Sequence, residues 1–99
     1  MQNNEDNSIY KILSALFTLS TKIKKLKKLK KEEARKKESE NFITECNKLM
    51  SIKAQNDDQN FMAKSFILSN NDLIEWSLKY CNIKTKDEYE NLKEKFILL

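Results

Sequence analysis

Ten basic side chains crowd into residues 22–37: Lys22, Lys24, Lys25, Lys27, Lys28, Lys30, Lys31, Arg35, Lys36 and Lys37. Only Glu32 and Glu33 oppose them, so this segment stands at +8, the rest of the 99-residue chain at −4, and the whole at +4. The positive charge is therefore the property of one segment, not of the molecule at large. Lysine ammonium groups act as point charges for phosphates, and each phosphate they neutralise releases counterions. The segment is thus a candidate site for an anionic partner, either nucleic-acid backbone or an acidic protein. A solvated helix surface is the plain alternative. Arginine is the residue that reads guanine through paired hydrogen bonds, and Arg35 is the sole arginine, so binding here is expected to be independent of base sequence. Aromatic residues are not interleaved with the lysines, which argues against a stacking platform for single strands. The apolar edge of Ile23, Leu26 and Leu29 lacks Trp or Phe, which disfavours attachment to a membrane surface.

Other chemistry has few residues to work with. The chain contains no His, no Gly and no Pro. Without Gly there is no phosphate-cradling loop, dinucleotide fingerprint or nucleophile elbow. Without His the usual general base and commonest metal ligand are missing. Cys46 and Cys81 have no metal-binding spacing, and Asp57 and Asp58 lack the glycine of a calcium loop. A Cys nucleophile would have only Lys as its base. Trp76, the single tryptophan, reads as a core anchor. The chain is accordingly expected not to be an enzyme and to use no metal, cofactor or small-molecule substrate.

These residues need elements to carry them, and the composition makes every element helical. Val is absent along with Gly and Pro, while Lys, Leu, Glu, Asn and Ile dominate. Tight β-turns have no residues to build them, and nothing interrupts a helix except clusters of Asn, Asp and Ser. The fold expected is all-α: a long N-terminal helix, bent or straight at its charged connector, followed by three or four short helices in a small bundle. Ile9, Leu16 and Ile23 occupy one heptad position, and Ile12, Leu19 and Leu26 the other. Tyr10, Leu13 and Phe17 widen this apolar front. The pattern fails at Lys30, and residues 30–40 read as a solvated connector helix supported by Glu32–Lys36 and Glu33–Lys37 pairs. The organisation expected is a polar tail over 1–7, an amphipathic and basic helix over 8–41, and a small helical domain over 42–99. One straight helix over 8–54 would extend about 70 Å.

Later helices are signalled by their starts. The polar run at residues 55–60 leads into a helix carrying Phe61, Met62, Phe66, Ile67 and Leu68. Ser69 to Asp72 and Thr85 to Glu88 have the spacing of capping boxes. The second of these is expected to open a helix with Tyr89, Leu92, Phe96 and Leu99 on one stripe. A helix-turn-helix over 72–98 is unpromising as a base reader, because Asp87, Glu88, Glu90 and Glu94 would oppose a phosphate backbone.

Two functional readings follow. The first is a small non-enzymatic regulatory protein whose basic helix engages nucleic-acid backbone or a nucleoprotein complex without sequence specificity. The second is a protein-interaction module that oligomerises, or caps a partner, through Ile9, Ile12, Leu16, Leu19, Ile23 and Leu26. In that case a second copy or partner covers the seam. A cytoplasmic location with reduced thiols is expected, since the N-terminal residues lack the basic start of a secretory signal and no run approaches a membrane span. The Lys- and Asn-rich, Arg-poor composition suits an AT-rich coding sequence and a mobile-element origin.

Overall fold

Twenty-five residues without a helix breaker coil into α1 (Asn4–Lys28), about 37 Å long. In the computed structural model, the backbone is described over residues 4–52 and 56–97, and side chains from Ser8 onward. Four further helices follow: α2 (Glu32–Ser51), α3 (Asp57–Ser69), α4 (Asn71–Leu78) and α5 (Ile83–Ile97). The described residues form an all-α bundle with no strand. Helix α1 begins inside the expected polar tail. The side chains of residues 1–7, and Leu99, lie outside the described residues.

The main departure from the single long helix lies at residues 29–31, where the chain turns. Lysines at i,i+4, such as Lys24 with Lys28 and Lys27 with Lys31, repel one another along a continuing helix. Leu29 leaves the helix to pack beside the core, and its carbonyl accepts a hydrogen bond from Arg35 Nε at 3.2 Å. Lys31, extended at φ −85° and ψ 134°, then caps α2. The two helices form an antiparallel hairpin. Lys25 near the end of α1 pairs with Glu38 near the start of α2 at 3.2 Å, while Tyr10 and Lys11 share a groove with Lys48 and Ile52. Folding back holds the longest dimension to 49 Å.

Helix α2 lies at the centre. Phe42, Ile43, Cys46, Leu49 and Met50 are buried, at spacings that cover about a third of the helix circumference. Helix α1 packs on one side of it, and α4 and α5 on another. Complete burial of each such side chain stabilises the fold by roughly 1.5–3 kcal/mol. Ile12, Leu19 and Leu26 of α1, Ala63 and Ile67 of α3, Ile74 of α4, and Tyr89 and Phe96 of α5 complete one core. All five helices therefore share a single core, and the boundary expected at residues 41 and 42 falls inside α2. The supposed solvated connector is also half inward-facing: Ser39 is buried, and Ala34, Arg35, Glu38 and Glu40 are partly so.

Caps explain the remaining boundaries. Asn56 Oδ1 accepts from the Gln59 amide at 3.0 Å and starts α3. Gln59 is itself buried and accepts a hydrogen bond from Ser8 Oγ at 2.6 Å, tying α3 to α1. The two capping boxes do not form as their spacing predicts. Helix α4 is capped at Asn70 without a side-chain bond. Helix α5 starts two residues before Thr85, because Asn82 Oδ1 takes the Thr85 amide at 2.8 Å.

Candidate nucleic-acid interface

The hairpin turns a basic stripe into a basic tip. Lys24, Lys25, Lys27 and Lys28 occupy the last turns of α1, Lys30 and Lys31 lie in the turn, and all six are exposed. Lys36 and Lys37 stand exposed on the second turn of α2, whereas Lys22 is half-buried farther back on α1. Part of this arrangement serves the fold: Lys25, Lys27 and Lys28 face the negative end of the α1 dipole, and Glu32 and Glu33 the positive end of α2. Lys25 is further neutralised by Glu38. Arg35 differs from the lysines, since its bond to the Leu29 carbonyl makes it a clasp for the turn.

Two hollows adjoin the tip. One, of about 340 Å³, is lined by Glu33, Lys36, Lys37, Glu40 and Asn82 and carries both signs of charge. The other, of about 240 Å³, brings Lys27 and Arg35 together with Leu26, Leu29, Leu73 and Trp76. Trp76 is thus only partly buried, and it lines this hollow together with Lys27 and Arg35. Residue spacing could not reveal this neighbourhood, because Trp76 lies some 50 residues along the chain from Lys27.

The six seam residues are divided by the fold. Ile12, Leu19 and Leu26 are buried within this chain's own core, and Ile9, Leu16 and Ile23 are half-buried. Helices α2 and α3 supply cover for the seam that the interaction-module reading expected from a second copy or a partner. The flanking residues stay open instead: Tyr10 is 67% exposed and Phe17 75%, with Leu13 between them. Their i, i+3, i+7 spacing places them on one outward face of α1.

Thiol chemistry has little support. Cys46 and Cys81 are free. Burial, followed by the neighbouring Cys81 and Glu45, pushes the Cys46 thiol far up. Cys81 is pushed up to about 12, by burial first and then by the charge and hydrogen bond of Glu40. A thiol that stays protonated at neutral pH is a poor nucleophile. No group of His, Cys, Asp or Glu among the described residues could hold a metal ion, and no helix of the described residues is long and apolar enough to cross a membrane.

Comparison with protein-family models, with curated proteins and with solved structures returned no match.

Proposed function

We propose that this chain is a non-catalytic binding protein that grips the backbone of nucleic acid through the tip of its α1–α2 hairpin. The supporting observation is the set of six exposed lysines at residues 24–31, gathered around the turn that joins α1 to α2. They satisfy no core and outnumber the two acidic residues that follow them. Lysine heads on flexible stems follow phosphates without reading bases, and the single arginine is engaged by the turn. Recognition is therefore of charge and not of sequence.

A salt series tests this. Binding of a labelled random duplex and an unstructured strand is followed by anisotropy. Affinity should fall linearly in log–log form, with a duplex slope near −0.9 for each phosphate engaged. Replacing Lys27, Lys28 and Lys30 by Ala should reduce the magnitude of that slope by about 1 each. Replacing Lys84, Lys86 and Lys95 on α5 should leave it unchanged. No binding at low salt, or binding indifferent to salt, would exclude the reading.

A second reading rests on a different face. Tyr10, Leu13 and Phe17 offer an apolar strip to another protein, in keeping with an interaction module. Sedimentation of the wild type and of Phe17→Asp tests whether the strip joins two copies. A monomer at high concentration that the substitution leaves unaltered would count against self-association.

A further inference from the structure

The hollow of about 240 Å³ beside the tip has the composition of a base-stacking site. Leu26 is buried beneath it, while Leu29, Leu73 and Trp76 keep part of their surface open. Tyr80 stands against the Trp76 ring with centroids 5.0 Å apart and planes tilted by 55°, which holds the indole in place. Two cations border this apolar surface. Lys27 is exposed. Arg35 is held at the edge by its Nε bond to the Leu29 carbonyl, and its terminal nitrogens have no acceptor among the described residues.

We infer that this hollow receives one unpaired base of a single-stranded nucleic acid, stacked against Trp76, while Lys27 and Arg35 hold the adjoining phosphates. The inference rests on the backbone-binding reading above and narrows it from nucleic acid in general to single strands. Three features favour a base. An indole offers a π-face of the kind on which any base stacks. The lining has no side-chain amide or carboxylate to select one base, in keeping with a site that grips charge without reading sequence. The cations lie immediately beside the aromatic surface, as phosphates lie immediately beside a base. A paired base in a duplex is stacked on both faces and cannot enter. Aromatics are not interleaved with lysines along the chain, but the fold brings Trp76 from α4 beside Lys27 of α1.

Trp76 is the chain's only tryptophan, so its fluorescence reports on this site alone. The intact protein is titrated at low salt with oligothymidylate and with a random duplex, binding being followed independently by anisotropy of a label on the oligonucleotide. Oligothymidylate should quench Trp76 in parallel with anisotropy, and the duplex should bind with no quenching. Trp76→Leu should weaken oligothymidylate binding by about tenfold or more without altering its salt slope or the affinity for duplex. Trp76→Phe, which keeps an aromatic face, should recover most of the loss. Oligothymidylate binding seen by anisotropy without quenching overturns the stacking site and leaves backbone binding in place. Equal quenching by duplex overturns the single-strand preference. No binding of either oligonucleotide at low salt overturns both readings. Because the quenching arm uses the wild type, it decides the question even if Trp76→Leu fails to fold.

Discussion

Glu40 holds Asn82 by both carboxylate oxygens: Oε2 accepts from the Asn82 backbone N–H and Oε1 from its side-chain Nδ2, each at 2.9 Å. Oε1 also accepts from Thr85 Oγ1. One carboxylate on α2 thus fastens the entry to α5. It is also a negative charge placed at a helix N-terminus, where the dipole favours it.

Removing that carboxylate should loosen α5 first. Glu40→Ala should cost about 0.5–1.5 kcal/mol, because it removes a charged acceptor from two exposed Asn82 donors and from the part-buried Thr85 hydroxyl. Hydrogen exchange should quicken at the amides of Asn82 and Thr85 before it does in α2. Unchanged thermal unfolding with unchanged exchange would show that the clasp has no energetic role.

The two faces of α1 make opposite predictions for two large apolar residues. Leu19 is fully buried and Phe17 is 75% exposed. Leu19→Ala should cost about 2–5 kcal/mol through lost burial and a residual cavity. Phe17→Ala should alter stability by no more than about 0.5 kcal/mol. Denaturant unfolding of both variants decides it, and a large loss for Phe17→Ala would mean that this face is covered in solution.

Alkaline pH should destabilise the fold. Burial raises the pKa of Cys46, Cys81 and Tyr89 alike, with Cys81 reaching about 12 from its ordinary 9.0. Between these two values the unfolded chain releases the Cys81 proton while the folded chain retains it, so stability falls as pH rises. The contribution is fully present below about pH 9 and is lost as pH climbs toward 12. Thermal unfolding temperature should hold up to about pH 8.5 and decline above it, less steeply in Cys81→Ala. At pH 8 both thiols should react slowly with iodoacetamide until urea unfolds the chain. A flat profile to about pH 10.5, or rapid alkylation of the native chain, would contradict the burial of these groups.

Much of the fold was legible in the amino-acid order. The lack of Gly, Pro and Val decided the all-α class, and the heptad through Ile12, Leu19 and Leu26 marked the buried side of α1. These are local properties: a periodic apolar face must be covered, whatever covers it. The concentration of charge at residues 22–37 was equally plain. The turn at Leu29 was foreshadowed only by the failure of the heptad at Lys30, since neither Gly nor Pro announces it. Its causes are a side-chain clasp from Arg35 and the packing of Leu29, which exist only once the hairpin has closed.

Tertiary structure decided what covers the seam and what is left outside. Periodicity placed Tyr10, Leu13 and Phe17 beside the seam, but it could not say whether α2 and α3 reach around that far, and they do not. Spacing likewise could not bring Trp76 to Lys27, or Glu40 to Asn82, because each pair meets across a helix–helix interface. A sequence determines which surfaces of a helix must be buried, through the free energy of removing apolar groups from water. Which distant side chains become neighbours depends on how the helices dock on α2, and that is settled by the shape of the whole core.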